Sequence, residues 1–271
     1  MMTEYLQANQ RRWDQLTLEH QKSEFYDLAG FKAGNDRLRS IELSELGDVD
    51  GKTLLHLQCH FGLDTLAWAR RGAIVTGVDF SQNAITLARS LSEELAIPAQ
   101  FYQSDIYDLP SVLTGKFDIV FTSYGVLHGL PDLGRWGEII THFLKPGGIF
   151  YIVEDHPFFR MFRAKPDGQI RAERSYFFSE EPQRIEVTGS YATDGEGAAG
   201  VQYVWDHSLG EVIGSLIDAG LKIEFLHEFP FAARAKFPFM EQGEDGWWRL
   251  PAGQHGIIPF LFSLQARKAG E

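Results

Sequence analysis

The chain has little cysteine, few positive charges and no long apolar run. Its single cysteine, Cys59, excludes a framework of disulfide bonds within the chain. Lysine and arginine total 25 against 37 acidic residues, which gives a formal charge of −12. Because nucleic acids and lipid surfaces are themselves anionic, we expect neither as a partner. No apolar run could span a bilayer and the first residues show no secretory signal pattern, so we expect a soluble cytoplasmic protein.

What the chain does have is a regular alternation of strand and helix patterns from residue 52 onward. With 271 residues, 44% of them hydrophobic, it can bury one core with room for insertions. Strands are predicted at 54–57, 74–78, 99–103, 117–122, 149–153, 222–229 and 257–266, and helices at 63–71, from 82 up to Pro98, at 132–144 and at 208–219. Because crossovers between parallel strands are right-handed, this order predicts an α/β fold with a doubly wound, mostly parallel sheet.

Two later segments break this pattern. Between residues 157 and 206 the helical period is lost and aromatic residues are dense, and 230–256 is a second aromatic insertion. The glycine-rich stretch 194–200 is typical of a mobile loop tip. We interpret 157–206 as a lid over a substrate, with Tyr203 and Trp205 as the residues that contact it.

The most informative motif joins two predicted strands. The strand at 54–57 leads through the turn Gln58-Cys59-His60-Phe61-Gly62 into a helix, and the next strand ends in Asp79. A carboxylate accepts hydrogen bonds only and can take both hydroxyls of a ribose, while the amides of the turn and helix N-terminus face the polar tail of a nucleoside. This arrangement predicts an adenosine site.

The order of these motifs resembles that of class I S-adenosylmethionine-dependent methyltransferases. The form His-Leu-Gln-Cys-His-Phe-Gly at 56–62 resembles a bacterial subgroup that acts on small molecules. The resemblance extends over residues 46–267, because a helix and a strand at 208–229 followed by a last strand close the sheet as in this family. It implies a seven-stranded sheet with an antiparallel last strand and S-adenosyl-L-methionine as the cofactor.

The resemblance also assigns cofactor contacts to particular residues. Asp79 matches the ribose-binding acid of the family and Asp105 its adenine-binding acid. Phe80 is placed as a shelf against adenine, and Ser123 ends the strand whose carbonyls line the sulfonium pocket. The alternatives are a helix-capping Asp79, a core Phe80 and a solvated Asp105. The predicted cofactor residues are Gln58, Gly62, Asp79, Phe80, Ser104, Asp105, Ile106, Ser123 and Tyr26.

The first loop departs from the family pattern, which is usually acidic-x-Gly-x-Gly-x-Gly. The matching positions here are His56, Gln58, His60 and Gly62, so only the last glycine is present. In the family, the missing acid helps to hold the cationic amino group of the methionine moiety. The carbonyls of the turn, or the amide oxygen of Gln58, are the expected replacements.

Two histidines are candidate bases. His128 follows the fourth predicted strand and His156 the fifth, so both lie at the strand ends that face the cofactor cleft. The functional interpretation is a catalytic base, and the structural alternative is helix capping or lid anchoring. His56 and His60 diverge across a strand-to-turn corner, so we expect no metal site there. Cys59 is expected to be a small buried residue rather than a nucleophile.

The segment before the sheet, residues 1–45, is interpreted as a helical cover of the cofactor site. Tyr26 or Trp13 could present an aromatic face to the sulfonium, although docking of a terminal helix on the core would explain these aromatics equally well. The remaining divisions are a cofactor-binding core at 46–156, the lid at 157–206 and the C-terminal part of the sheet at 207–271, which carries the insertion at 230–256.

These expectations together indicate transfer of a methyl group to a small, partly hydrophobic acceptor by in-line displacement. Positioning alone contributes about 7–11 kcal/mol to such a reaction. One alternative is a nicotinamide-dependent oxidoreductase, although the first turn lacks Gly-x-Gly-x-x-Gly. The other is a non-catalytic S-adenosylmethionine-binding regulatory protein. The expected partner is a small-molecule acceptor, and a homodimer is the assembly considered.

Overall fold

The computed structural model describes residues 4–165, 169–193 and 197–270. Its helices are α1 Glu4–His20, α2 Leu28–Lys32, α3 Ser40–Leu46, α4 Leu63–Arg70, α5 Gln82–Glu94, α6 Leu109–Val112, α7 Leu133–Phe143, α8 Pro157–Arg160 and α9 Leu209–Asp218. Its strands are β1 Thr53–Leu57, β2 Ile74–Asp79, β3 Ala99–Gln103, β4 Phe117–Ser123, β5 Leu144–Asp155, β6 Phe162–Ala164, β7 Ile170–Ala172, β8 Gln183–Thr188, β9 Ala199–Val204, β10 Leu221–Phe229, β11 Glu241–Gln242, β12 Trp248–Arg249 and β13 Leu261–Lys268. None of these helices has the length and apolar character of a membrane span.

Seven of the strands form one sheet in the order β10-β13-β5-β4-β1-β2-β3. β13 pairs antiparallel with β10 and with β5, whereas the pairs among β1 to β5 are parallel. The predicted α/β fold with an antiparallel last strand is therefore confirmed. The order of winding reverses between β4 and β1, and open parallel sheets bind ligands at such a point, beyond the carboxyl ends of the strands.

Apolar side chains alternate between the two faces of this sheet. Leu55 of β1 belongs to an apolar cluster with Trp136 of α7, and its neighbour Leu54 belongs to another with Trp68 of α4. Because successive strand residues point to opposite faces, strands that are apolar throughout become covered by helices on both sides. The sheet is thus a fixed platform from which the strand-end loops project.

The helices predicted at 63–71, 132–144 and 208–219 match α4, α7 and α9 to within one residue at each end, whereas the helix predicted up to Pro98 ends at Glu94. The Ser81 hydroxyl accepts a hydrogen bond from the amide of Ala84 and caps α5, and Ser208 forms a capping box with Glu211 at the start of α9. Gly72, just beyond α4, has a φ of 89°, a left-handed conformation that favours glycine.

Two predicted strand starts are wrong. β5 begins at Leu144, because residues 145–148 form an irregularity within the strand: Phe117 pairs with Leu144, and Ile119 already pairs with Ile149. β13 begins at Leu261 and not at 257, because its ladder with β5 ends at the pair of Leu261 with Asp155.

The segment 157–206 contains α8 and two hairpins, β6–β7 and β8–β9. α1 packs along β9, where the Asn9 side chain donates to the carbonyl of Tyr203 at 2.7 Å and accepts from its amide at 2.8 Å. The N-terminal helix thus lies against the second hairpin of the insertion. Of the predicted loop tip at 194–200, residues 194–196 lie outside the described residues, and the remainder leads into β9.

Candidate active site

A cavity of about 460 Å³ opens at the carboxyl ends of the parallel strands. The strand-end loops line its floor, and α1, the segment that follows it and the β8–β9 hairpin contribute to its walls. All nine residues predicted for the cofactor line this cavity, namely Tyr26, Gln58, Gly62, Asp79, Phe80, Ser104, Asp105, Ile106 and Ser123. The fold therefore brings together side chains from five separate parts of the sequence.

The loop after β1 keeps a glycine-like backbone without the usual glycines. Gln58 and His60 have φ values of 56° and 51°, and Gly62 has a φ of 77°. A left-handed conformation costs a residue with a Cβ about 1–2 kcal/mol. At Gly62 a Cβ would also lie 2.6 Å from the ring of Phe101, so steric exclusion adds to the backbone cost there.

The position of the family's missing acid is occupied by a neutral histidine. His56 is buried, and its Nδ1 lies 2.8 Å from the hydroxyl of Thr65. Burial lowers the pKa of His56 to about 3, so the ring carries no charge near neutral pH. Since His60 contacts His20 instead, the two loop histidines have different partners and do not converge on one site.

Two other groups could hold an ammonium group here. The Gln58 Oε1 atom is buried and has no hydrogen-bond partner within the part of the chain described. Asp64, one residue into α4, also lines the cavity and accepts a bond from the Ser123 hydroxyl at 3.3 Å. Burial raises the pKa of Asp64, while the charge of Arg37 acts in the opposite direction. Sequence reasoning missed Asp64, although its place just after Gly62 was the available signal.

Asp79 organises the floor of the cavity. Its Oδ2 accepts from the amide of His60 and its Oδ1 from the amide of Ser81, both at 2.9 Å. Burial raises the pKa of Asp79 to about 6. Because each carboxylate oxygen has a second acceptor site, the pair of hydroxyls on a ribose can still be accommodated. The cap of α5 is Ser81, so the helix-capping interpretation of Asp79 is wrong.

Asp105 is buried rather than solvated. Its Oδ1 accepts from the amide of Tyr107 at 2.8 Å and so caps the 3₁₀ turn Ile106–Asp108. Its Oδ2 has no hydrogen-bond donor among the residues that the structure describes. Burial raises the pKa of Asp105. An acceptor beside the apolar side chain of Ile106 suits the amino group and flat ring of adenine.

The two candidate bases differ in position. His128 lines the cavity, and burial, followed by the charge of Arg160, lowers its pKa well below the ordinary value, so its ring is neutral. His156 does not line the cavity. Its Nδ1 accepts from the amide of Phe158 and its Nε2 lies 2.8 Å from Glu228, so it caps α8. The position of His156 outside the cavity therefore favours the capping alternative over the catalytic interpretation.

Tyr203 and Trp205, the predicted substrate contacts, do not line this cavity. Trp205 is 3% exposed, and its indole nitrogen donates to the carbonyl of Glu180. Tyr203 packs on Tyr5, with 4.7 Å between the ring centroids. Alternation along β9 is the reason, since Gln202 lines the cavity and its neighbour points elsewhere.

The β8–β9 hairpin reaches the cavity through other residues, chiefly 187–191. The hydroxyls of Tyr191 and Tyr26 are 2.5 Å apart. A chain of hydrogen bonds also links the hairpin to the floor: Ser190 Oγ lies 3.0 Å from His20 Nε2, and His20 Nδ1 lies 2.9 Å from His60 Nε2. Burial lowers the pKa of His20 to about 4, so this chain is uncharged at neutral pH.

Charged side chains gather around the end of β5. Asp155 accepts two bonds from the Lys236 ammonium, at 2.5 and 2.6 Å, and Arg160 and Arg234 line the cavity nearby. Burial alone would raise the pKa of Asp155, but the charges of Lys236 and Arg234 hold it below its ordinary value.

Cys59 is buried, and burial raises the pKa of its thiol well above the ordinary range, as expected for a buried residue rather than a nucleophile.

Known proteins similar in sequence to this chain are methyltransferases. Residues 55–152 match the methyltransferase domain family. A ubiquinone biosynthesis O-methyltransferase from Alkalilimnicola ehrlichii is 32% identical over 114 residues, which are 41% of this chain and 46% of that protein. The chain thus matches about half the length of its curated relatives.

Solved structures extend the likeness beyond the matched domain. A Listeria monocytogenes protein described as an S-adenosylmethionine-dependent methyltransferase superposes with a TM-score of 0.61 and 20% identity, over 84% of this chain and 95% of that one. The [4+2]-cyclase SpnF superposes with a TM-score of 0.51 and 19% identity, over 90% of this chain and 80% of that one. The matched domain runs from β1 into β5, and the likeness to solved structures takes in the rest of the sheet, so residues 55–152 are similar to a methyltransferase domain and the chain has the fold of these S-adenosylmethionine-dependent methyltransferases.

Proposed function

We propose that the protein transfers a methyl group from S-adenosyl-L-methionine to a small, partly hydrophobic acceptor bound in the cavity. One observation carries this proposal: Asp79, Asp105 and the unpartnered Oε1 of Gln58 line the same cavity at the switch point of the sheet. Gln58, Asp79 and Asp105 follow or end the neighbouring strands β1, β2 and β3, and they match an ammonium group, a ribose and an adenine amino group, in the order in which these groups occur along the cofactor.

The residues present fit the cofactor. Asp79 would accept from the ribose hydroxyls, the Oδ2 of Asp105 from the adenine amino group, and Gln58 together with Asp64 from the ammonium group. Gln58 Oε1 is the strongest sign of fit, because a buried acceptor without a donor costs about 1–3 kcal/mol unless a ligand satisfies it. When bound, the cofactor supplies a methyl group made electrophilic by the adjacent sulfonium.

The chain's own contribution is mainly alignment and the exclusion of water. Tyr26, Trp13 and the β8–β9 hairpin cover the cavity, and their rings offer apolar and aromatic surface to an acceptor. If the acceptor is a hydroxyl, its proton passes to His128, whose neutral ring has no hydrogen bond through either nitrogen within the described residues. A neutral amine or a thiolate acceptor needs no such base.

We propose that the β8–β9 hairpin is the working part of the lid predicted at 157–206, with Tyr191 in place of Tyr203 and Trp205 as the acceptor contact. Its support is that Tyr191 lines the cavity and is bonded to Tyr26 of the N-terminal cover. Residues 1–45 and 157–206 then act together above the core at 46–156, and 207–271 completes the sheet.

Two measurements test the proposed function. Calorimetry should show binding of S-adenosylmethionine and no comparable binding of nicotinamide dinucleotides. Incubation with a metabolite extract should then produce S-adenosylhomocysteine together with a methylated product. Preferred binding of a nicotinamide dinucleotide would favour the oxidoreductase alternative. Cofactor binding without any S-adenosylhomocysteine would favour a regulatory protein, or another reaction on this fold, as the likeness to a cyclase allows.

We also propose a cytoplasmic location and a small molecule, rather than nucleic acid or membrane, as the partner. The buried unpaired thiol of Cys59 and the formal charge of −12 support these assignments. Cell fractionation, a vesicle pelleting assay and a DNA gel-shift assay test them. A homodimer remains the proposed assembly, and light scattering of the purified protein decides between one and two copies.

A further inference from the structure

We infer that Arg160 and Arg234 form a binding site for an oxyanion, a carboxylate or a phosphate, carried by the acceptor. This inference rests on the proposed function, because the site is one end of the same cavity. It specifies the class of acceptor: a small molecule with an apolar or aromatic body and one anionic end.

The two arginines reach the cavity from different insertions. Arg160 is the last residue of α8, just beyond β5, and Arg234 belongs to the insertion at 230–256. Both line the cavity together with His128 and Asp155. Their side chains are 19% and 35% exposed, so they are partly withdrawn from water but accessible to a ligand.

Neither guanidinium has a hydrogen-bond acceptor among the described residues. The nearest carboxylate oxygen to Arg234 is Oδ2 of Asp155, at 3.8 Å, and the nearest to Arg160 is Oδ1 of Asp206, at 3.7 Å. Both distances exceed that of a hydrogen bond. Asp155 is already engaged by Lys236 at 2.5 and 2.6 Å, so it does not satisfy Arg234. Each guanidinium therefore keeps its donors for a ligand.

The local charge is opposite in sign to that of the whole molecule. Four basic side chains and two carboxylates form the ion pairs around the site, so basic groups outnumber acidic ones here in a chain of formal charge −12. The cations are Arg160, Arg174, Arg234 and Lys236, and the carboxylates are Asp155 and Asp206. Partly buried guanidinium groups without hydrogen-bond acceptors are unfavourable, whereas an oxyanion that accepts from two guanidinium groups forms strong, charge-assisted bonds.

An aromatic ring completes the site. The guanidinium of Arg234 lies over the ring of Tyr191, 4.8 Å from its centroid, which holds the cation at the edge of the cavity. The rings of Phe25, Tyr26 and Tyr191 form an apolar wall beside it. A ligand with a flat apolar body and an anionic end would contact both the wall and the arginines.

The test uses the full chain saturated with S-adenosylhomocysteine and three probes of similar shape: benzoate, phenyl phosphate and the neutral benzamide. Calorimetry or ligand-observed NMR should show that at least one anion binds ten times more tightly than benzamide or better. The variant Arg160→Gln/Arg234→Gln should lose this preference, and Arg234→Lys should retain part of it, because lysine keeps the charge but not the forked donors. The control Arg184→Gln, which removes an exposed arginine of β8, should retain it in full.

The outcomes separate the two proposals. If S-adenosylhomocysteine fails to bind, the proposed function is wrong. If it binds but neither anion is preferred to benzamide, or if Arg184→Gln loses the preference as much as the double variant does, the oxyanion site is wrong. A preference for benzoate identifies a carboxylate acceptor, and one for phenyl phosphate identifies a phosphate. If the double variant unfolds, Arg160→Gln and Arg234→Gln are tested singly, and unchanged anion affinity in both overturns the inference.

Discussion

At residue scale, the loop after β1 keeps a backbone conformation typical of glycine at two positions where this chain has other residues. Gln58 and His60 keep the left-handed conformation that glycine adopts most easily. Each brings a side chain that glycine lacks: Gln58 an unpartnered acceptor in the cavity, and His60 a bond to the N-terminal helix α1. The backbone cost is thus accompanied by two contacts that a glycine loop could not make.

We predict that Gln58→Leu weakens binding of S-adenosylmethionine but not that of methylthioadenosine, which lacks the amino acid part. The variant removes an acceptor for a charged donor, a bond worth about 1.5–3 kcal/mol, so the affinity for S-adenosylmethionine should fall more than tenfold. Calorimetry measures the affinity for both ligands. The variant Asp64→Asn in the same assay measures how much Asp64 contributes to binding of the ammonium group. Equal losses for both ligands would show that Gln58 only shapes the loop.

Cofactor affinity should depend on pH through Asp79. The pKa of Asp79 is raised to about 6, and the ionised carboxylate is the form that accepts from both ribose hydroxyls. Affinity should therefore fall as the pH drops below about 6, and Asp79→Asn should bind at least ten times more weakly at pH 8, with a flatter pH profile. The control is Asp218→Asn, at the exposed end of α9. An unchanged profile in Asp79→Asn would assign the titration to another group.

The same ionisation acts on stability with the opposite sign. The folded pKa of about 6 lies above the ordinary value for aspartate, so the folded state binds this proton more tightly than the unfolded chain does. The contribution of Asp79 to stability is thus fully present below the unfolded pKa and is lost as the pH rises through about 6. Cofactor binding, which favours the ionised form, should offset part of that loss.

At the scale of elements, the β8–β9 hairpin and the residue that follows it present two kinds of aromatic side chain. Trp205, just after β9, lies in the core beneath the hairpin, whereas Tyr191 lies at the rim of the cavity with 38% of its surface exposed. Aromatic density along the sequence indicated an insertion over the sheet. It could not show which rings face the cavity, because that depends on strand register and on contacts with the distant helix α1.

Tyr191→Ala should raise the acceptor KM several-fold and leave the affinity for S-adenosylmethionine nearly unchanged. The ring contacts Arg234 and Tyr26 at the rim, whereas the predicted nucleoside contacts come from the strand ends. Steady-state kinetics with the identified acceptor and calorimetry with the cofactor measure the two effects. An equal loss of both would mean that Tyr191 holds the cofactor site together rather than the acceptor.

Trp205→Ala should instead destabilise the fold. The side chain is almost fully buried and donates a hydrogen bond to Glu180, and truncating such a residue costs about 3–5 kcal/mol. Urea unfolding of the variant and of the wild type measures the difference. A stable Trp205→Ala protein with a raised acceptor KM would restore the original interpretation of this residue.

At the scale of the whole molecule, the sheet and the strand-end side of the cavity were predictable from sequence. The side of the cavity formed by the insertions was not. Asp79 ends the apolar strand β2 and Asp105 lies two residues beyond β3, and the topology of a parallel sheet brings strand ends together. Tyr191, Arg160 and Arg234 lie in insertions without a regular period. Their positions depend on packing between segments far apart in sequence, which no local pattern specifies.

Cofactor binding should protect α1 and the β8–β9 hairpin together. The chain of hydrogen bonds from His60 through His20 to Ser190 joins the cofactor loop to both elements, so ordering of the loop favours their closed arrangement. Hydrogen exchange with and without S-adenosylhomocysteine tests this expectation. His20→Phe should uncouple the two elements from the ligand, and protection limited to the strand-end loops in the wild type would contradict the link.

The packing of α1 on β9 has a consequence for synthesis. Asn9 meets Tyr203 across 194 positions, so a ribosome completes α1 long before its partner strand exists. Leu6 and Leu16 on the buried side of α1 therefore remain without their final neighbours while the central strands emerge. The floor of the cavity is therefore synthesised before its far wall, and a nascent chain halted after β5 would lack the β8–β9 hairpin and the arginines that line the ligand crevice.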